Sequence, residues 1–193
     1  MLEAYTERWA LVTGASSGIG AEFARVLAGN GMHLVLTARR GDRLEELVEE
    51  LRQQHMVQTL IVSADLCDPG AAAMLLERID AEQITLELLV NNAGFGYVGD
   101  IDGTDVETML SMVQLNIGVL TELPYRVLPG MLERGHGDFI NFASMAGWLP
   151  ILYLGAYNAS KFAVVAFSEV LYHENRNKGV RFACVCPPPV ATP

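Results

Sequence analysis

The chain has 193 residues, of which 51% are hydrophobic and 19% are charged, and its formal net charge is −10. This length suits one domain with a substantial core, and the hydrophobic content excludes a disordered chain. The acidic balance excludes a nucleic-acid partner and an anionic membrane surface, because both require a basic protein face.

Short apolar runs alternate with segments of helical periodicity along the whole chain, with no linker or internal repeat. The predicted strands are residues 9–13, 33–37, 59–63, 86–91, 139–143 and 180–185. The predicted helices are residues 21–28, 42–54, 71–79, 105–132 and 157–174, with a bend near Pro124. Strands that read as continuous apolar runs indicate a parallel sheet covered on both faces. We therefore predict an α/β fold, a single doubly wound parallel sheet that binds ligands outside the carboxyl ends of its strands.

The sequence also bears on location and metals. The apolar runs are too short to span a membrane, and residues 1–9 contain Glu3 and Glu7 instead of the basic and apolar parts of a signal peptide. We therefore expect a cytoplasmic protein. The histidines and the three cysteines lack the spacing of metal ligands, so we expect no metal site and ordinary buried thiols at Cys67, Cys184 and Cys186.

A glycine-rich turn, Thr13-Gly14-Ala15-Ser16-Ser17-Gly18-Ile19-Gly20, joins the first strand to the first helix. Glycine lets the backbone approach a pyrophosphate, and a helix N-terminus supplies free N–H groups and a positive dipole end. A turn that binds nothing also favours glycine and serine, so the turn alone leaves both interpretations open. No Lys-Ser or Lys-Thr pair follows the turn, which argues against a P-loop.

The end of the second predicted strand bears on the choice of cofactor. A dinucleotide site usually has an acid there, which binds the ribose hydroxyls. Ala38 holds that position, and Arg39 and Arg40 follow it. Arginines form charge-assisted hydrogen bonds with a 2′-phosphate, so the pattern favours NADP(H) over NAD(H). We expect Arg39 to be the more important of the two, with Ser16 as a helper, although both arginines could also be solvated surface residues.

Tyr157 and Lys161 lie four residues apart, which places them on one face of the last predicted helix. A phenol with an ordinary pKa of roughly 10 is a poor acid–base group at neutral pH, and a nearby ammonium stabilises the phenolate. Such a pair suits proton transfer to or from a carbonyl oxygen. An ordinary amphipathic pair, with the tyrosine packed inward and the lysine solvated, has the same spacing.

Together these motifs resemble the short-chain dehydrogenase/reductase family. The turn has the family's spacing G-x-x-x-G-x-G, Asn91-Asn92-Ala93-Gly94 follows the fourth strand, and Ser144 precedes Tyr157 by thirteen residues. The resemblance covers Leu11 to Thr192. It implies a Rossmann-like sheet with strand order 3-2-1-4-5-6.

The resemblance implies four catalytic residues, Asn116, Ser144, Tyr157 and Lys161. Tyr157 would act as the general acid in reduction and the general base in oxidation. Lys161 would bind the nicotinamide ribose and assist Tyr157. Ser144 would donate a hydrogen bond to the substrate oxygen, and Asn116 would hold a water in a proton relay.

The resemblance also implies which residues bind NADP(H). They come from the glycine turn and from the ends of the later strands: Gly14, Ser16, Ser17, Gly18, Ile19, Gly20, Arg39, Asp65, Leu66, Asn92, Ala93, Gly94, Tyr157, Lys161, Pro187, Val190 and Thr192. One residue departs from the pattern, since Pro188 replaces a glycine of the family. Proline fixes φ and lacks an N–H, so we expect the local turn to change shape.

We therefore expect an oxidoreductase that transfers a hydride between NADP(H) and a carbonyl or secondary alcohol. The apolar residues between Ser144 and Tyr157 would suit an apolar ketone or aldehyde, although they could equally pack the loop or a subunit contact. The alternative is a catalytically silent dinucleotide sensor or scaffold, which Pro188 and the end of the chain at Pro193 would favour. Residues 1–193 are expected to be one catalytic domain without the family's C-terminal substrate-covering segment and last strand. By the same resemblance we expect a homodimer or homotetramer.

Overall fold

The computed structural model describes residues 5–190, which form two compact units, residues 5–92 and residues 93–190. Thr192, one of the predicted cofactor contacts, lies outside the described residues. The prediction of one catalytic domain over residues 1–193 stays a prediction.

The first unit consists of four strands and three helices. The strands are β1 (Trp9–Thr13), β2 (His33–Ala38), β3 (Thr59–Ser63) and β4 (Leu86–Asn91), and the helices are α1 (Gly18–Gly29), α2 (Gly41–Gln54) and α3 (Ala71–Ala81). β1 pairs in parallel with β2 and with β4, and β2 pairs in parallel with β3. The interior of β1 and all of β4 are buried, as continuous apolar runs predict. On α2, the four apolar residues at helical spacing are the ones that are buried: Leu44, Leu47, Val48 and Leu51.

The second unit contains the remaining two strands and three helices. The helices are α4 (Val106–Val113), α5 (Leu120–Arg134) and α6 (Gly155–Asn175), and the strands are β5 (Gly137–Phe142) and β6 (Val180–Val185). Single 3-10 turns occupy Ile101–Gly103 and Met145–Gly147. β5 and β6 pair in parallel, and the rings of Phe139 and Phe182 stack on them with centroids 4.6 Å apart.

The strands follow the order β3-β2-β1-β4-β5-β6 in a six-stranded sheet. The predicted α/β class and strand order are therefore confirmed. Of the helices within residues 5–190, none is both long and apolar enough to cross a lipid bilayer.

The predicted helix 105–132 is interrupted in the structure. A π-helical segment, Gln114–Val119, separates α4 from α5, and Pro124 lies within α5 beyond it. Asn116 lies inside this segment with its side chain fully buried. Such π turns are rare and often occur at functional sites.

Candidate active site

The glycine turn of the first unit is built so tightly that glycine is required at several positions. Gly14 and Gly18 have φ angles of +67° and +56°, in the left-handed region that favours glycine. A Cβ on Gly20 would lie 2.4 Å from the carbonyl oxygen of Gly14, so the turn closes directly on the first turn of α1. The glycines therefore shape a compact backbone cradle at the N-terminus of a helix, where anions bind.

Asn92, at the end of β4, holds this turn in place. Its Nδ2 donates to the carbonyl oxygens of Thr13 at 2.9 Å and Gly14 at 3.3 Å, and its backbone N–H donates to Thr13 Oγ1 at 3.0 Å. Thr13 Oγ1 in turn donates to the carbonyl of Val90 at 3.3 Å. These hydrogen bonds of Asn92 and Thr13 tie the glycine turn to the sheet.

The two arginines after β2 have different partners. Arg40 donates from Nη2 to Ser17 Oγ at 2.6 Å and to Ser16 Oγ at 3.2 Å, so its guanidinium lies on the glycine turn. Arg39 is exposed, and its Nη1 lies 3.9 Å from Asp65 Oδ2. The sequence ranks Arg39 above Arg40, whereas the structure places Arg40 on the serines of the turn. Both arginines follow the end of β2.

The other predicted cofactor residues fall into two groups. Asp65 accepts a hydrogen bond from the Cys67 N–H at 3.0 Å, while Leu66 is buried and contributes to the core. In the second unit, the carbonyl of Pro187 accepts a hydrogen bond from the Met145 N–H at 3.1 Å, which ties the chain after β6 to the chain after β5. Val190 is exposed.

Tyr157 and Lys161 lie on one face of α6, as predicted. Lys161 Nζ is 5.7 Å from the centre of the Tyr157 ring. Tyr157 is half-buried, and a Cβ on Gly96 would lie 3.3 Å from its ring. Gly96 thus leaves space for the ring, and the side chains of Tyr157 and Lys161 lie beside each other.

Lys161 is a buried titratable group of this unit. It is only 5% exposed, and its Nζ donates to the Phe142 carbonyl at 2.9 Å. Burial lowers the pKa of Lys161 to about 8, and the nearby Cys184 and Cys186 offset part of that effect. These two half-buried thiols are free and lie 4.0 Å apart. The alternative interpretation, a solvated lysine, therefore does not describe this structure, because α6 packs the Lys161 side chain against β5.

Asn116 uses its side-chain amide to hold the segment that follows β4. Its Oδ1 accepts from the Phe95 N–H at 3.1 Å, and its Nδ2 donates to the Phe95 carbonyl at 2.9 Å and to Ser160 Oγ at 3.1 Å. Ser160, fully buried, donates to the Tyr157 carbonyl at 2.7 Å. The buried amide therefore connects the segment after β4 to the backbone of Tyr157.

Ser144 begins the short 3-10 turn after β5. Its Oγ accepts a hydrogen bond from the Ala146 N–H at 3.2 Å, which fixes the direction of the hydroxyl oxygen. A Cβ on Gly147 would lie 2.7 Å from the Lys161 carbonyl, so this turn packs directly on α6. All four predicted catalytic residues belong to the second unit.

Two residues of this site were not assigned by the sequence analysis. Ser160 lies within the quoted segment Tyr157-Asn158-Ala159-Ser160-Lys161, but its link to Asn116 spans 44 residues and leaves no local signal. Gly96 follows the Asn-Asn-Ala-Gly run, and only the position of the Tyr157 ring explains why a glycine stands there.

The chain is similar in sequence to known proteins over most of its length. The family model described as short chain dehydrogenase matches residues 8–193. A very-long-chain 3-oxoacyl-CoA reductase of Anas platyrhynchos is 38% identical over 190 residues, which is 95% of this chain and 60% of that protein. The chain thus spans about three-fifths of the length of this curated relative.

Two solved structures are similar over most of the chain. A short-chain dehydrogenase from Sphingobium yanoikuyae in complex with NADPH is 34% identical with a TM-score of 0.91, over 96% of this chain and 72% of that one. A bulky-bulky ketone specific alcohol dehydrogenase from Comamonas testosteroni is 33% identical with a TM-score of 0.89, over 94% of this chain and 72% of that one. The protein belongs to the short chain dehydrogenase family.

Proposed function

We propose that the protein is an NADP(H)-dependent oxidoreductase that interconverts a carbonyl compound and a secondary alcohol. The observation that carries this proposal is the buried ammonium of Lys161 beside the ring of Tyr157. Burying a charged lysine costs stability unless the charge is paired and hydrogen-bonded, and perturbed titratable groups cluster at functional sites.

The glycine turn and the arginines after β2 would hold the cofactor. The compact turn suits a pyrophosphate, because its glycines let the phosphates approach the backbone N–H groups at the N-terminus of α1. Arg39 and Arg40 provide two guanidinium groups for a 2′-phosphate, which the relative from Sphingobium yanoikuyae solved with NADPH also supports. When bound, the nicotinamide supplies the hydride that the protein side chains cannot provide.

Tyr157 is proposed to exchange the proton of the reaction. In reduction its hydroxyl donates a proton to the substrate oxygen, and in oxidation the phenolate accepts it back. The Lys161 ammonium, held by the Phe142 carbonyl, stabilises the phenolate that remains after donation. Because Lys161 has a pKa of about 8 in the protein without ligands, kcat/KM for reduction is expected to fall above about pH 8, as this ammonium loses its proton.

Ser144 and Asn116 are proposed to support this exchange in different ways. The Ser144 hydroxyl, oriented by the Ala146 N–H, donates to the substrate oxygen. The Nδ2 of Asn116 already donates to Phe95 and Ser160. A relay water would therefore bind another atom of Asn116, and we propose that this side chain chiefly positions the segment after β4.

We propose an apolar ketone or aldehyde as the substrate. Met145, Trp148, Leu149 and Leu152 are exposed apolar residues between Ser144 and Tyr157. Relatives that act on a bulky ketone and on a 3-oxoacyl-CoA, by their names, support a substrate with apolar bulk beside the carbonyl. A cytoplasmic location and self-association into a homodimer or homotetramer stay predictions.

The test follows NADPH oxidation by its absorbance with a panel of apolar ketones. Wild type is expected to turn over at least one ketone, and Tyr157→Phe is expected to lose at least a hundredfold in kcat, as general acid catalysis contributes about 10²–10⁴-fold. Tyr125→Phe is the matched control, because Tyr125 is 69% exposed on α5. Equal rates for wild type and Tyr157→Phe would remove Tyr157 from the mechanism. NADPH binding without turnover of any carbonyl would favour the silent sensor instead.

A further inference from the structure

A cavity of about 500 Å³ lies within the second unit, and Tyr157 is part of its wall. Its walls come from the segment that leads into α4, from α4 itself and from the residues that lead into α6. The apolar side chains that line it are Ile101, Val106, Met109, Met112 and Leu152. This volume is typical of sites that bind small molecules.

The charged groups of the cavity disfavour an anionic occupant. Asp100 is the one carboxylate in its wall, and neither lysine, arginine nor histidine occurs among the described residues that line it. Thr104 Oγ1 donates to the Asp100 carbonyl at 2.7 Å, so that hydroxyl is already used within the wall. A phosphate or carboxylate would meet the Asp100 charge without a compensating cation, whereas a hydrocarbon meets mostly apolar surface.

The rim of the cavity also indicates a ligand that covers apolar surface. Ile101 is 96% exposed and Leu152 is 82% exposed, although both belong to the cavity wall. The Gly99 N–H donates to the Tyr153 carbonyl at 2.9 Å and joins the two segments that carry them. Tyr153 has a φ of +65°, a strained conformation for a non-glycine residue that is often kept at functional sites. The two exposed side chains thus lie on two segments of the rim that a backbone hydrogen bond joins.

We propose that this cavity binds the unbranched hydrocarbon chain of the carbonyl substrate and thereby selects long-chain over short-chain ketones. This proposal rests on the proposed function, since it assigns the chain of the substrate whose carbonyl reaches Tyr157. Met109 and Met112 suit a chain of variable conformation, because methionine is unbranched and adapts its rotamer. Each methylene that leaves water for the cavity is expected to raise kcat/KM about fourfold until the cavity is full.

The experiment measures kcat/KM for a series of 2-alkanones from 2-butanone upward. Met109→Trp narrows the cavity, and Leu110→Trp is the matched control, because Leu110 is 57% exposed on the same helix and is not part of the wall. In wild type and Leu110→Trp the values rise with chain length. In Met109→Trp the ratio of long-chain to short-chain kcat/KM falls at least tenfold. A ratio equal to that of wild type would overturn the proposal.

Two further measurements distinguish a wrong cavity assignment from a misfolded variant and from a wrong proposed function. Ile101→Glu changes an almost fully exposed residue and places a charge at the rim, so it is expected to fold and to lower the same ratio. Binding of 1-decanol, compared with 1-butanol by calorimetry, requires no turnover. If Met109→Trp weakens decanol binding and no ketone is turned over, the cavity is a hydrocarbon site but the proposed oxidoreductase activity is rejected. If ketones are turned over at rates that do not depend on chain length and decanol does not bind, the hydrocarbon site is rejected and the proposed oxidoreductase activity stands.

Discussion

Replacing Lys161 by methionine is expected to stabilise the protein while it abolishes catalysis. The side chain is 5% exposed, and burial lowers its pKa from 10.5 to about 8. The charged lysine therefore destabilises the folded protein by about 3 kcal/mol near pH 7, at about 1.4 kcal/mol for each unit of pKa. Methionine has a similar length and removes the charge. It also removes the hydrogen bond to the Phe142 carbonyl, which costs about 1–2 kcal/mol.

The sign of the effect depends on pH. The unfolded chain binds the lysine proton more tightly than the folded protein, so the wild type gains stability as pH rises from about 8 to 10.5. Near pH 7 the Lys161→Met variant should therefore be about 1–2 kcal/mol more stable than wild type. Above about pH 10 the advantage should vanish or reverse, because the neutral amine of the wild type still donates to Phe142.

Urea unfolding at several pH values measures this difference directly. Lys178→Met is the control, since Lys178 is exposed and its substitution should give a much smaller effect. A variant that is less stable than wild type near pH 7, or a stability difference that does not change with pH, would refute the reasoning about the buried ammonium.

Two further predictions concern the cofactor and the buried link to Tyr157. Arg39→Asp and Arg40→Ala should each weaken NADPH binding by about 1.5–3 kcal/mol and leave NADH binding nearly unchanged, as measured by cofactor fluorescence. If one variant binds NADPH as tightly as wild type, the arginine it replaces is a surface residue without a role in cofactor binding. Ser160→Ala should lower the free energy of unfolding by about 1–3 kcal/mol, because Asn116 Nδ2 loses a buried acceptor. Urea unfolding measures this difference. An unchanged free energy of unfolding would show that the hydrogen bond between Asn116 and Ser160 adds no stability.

Most of the fold could be predicted from the chain alone. The bounds of β1, β3, β4 and β6 agree with the predicted strands, and the helices differ mainly by a few residues at their ends. Apolar runs and helical periodicity are local properties, so they can be recognised without knowing which strands and helices pack against a segment. The π segment Gln114–Val119 was missed, because inserting one residue into a helical turn leaves no local pattern that reports it.

The candidate site divides in the same way. The sequence by itself determined the glycine turn, the spacing of Tyr157 and Lys161, and the family resemblance, because backbone freedom and helix periodicity depend on neighbouring residues. Only the tertiary structure decided that Lys161 is buried against Phe142, that Arg40 lies on the serines of the turn, and that Asn116 holds Phe95 and Ser160. These contacts join residues between 19 and 44 positions apart. They arise when separate elements pack together, and packing also removes the water that sets an ordinary pKa.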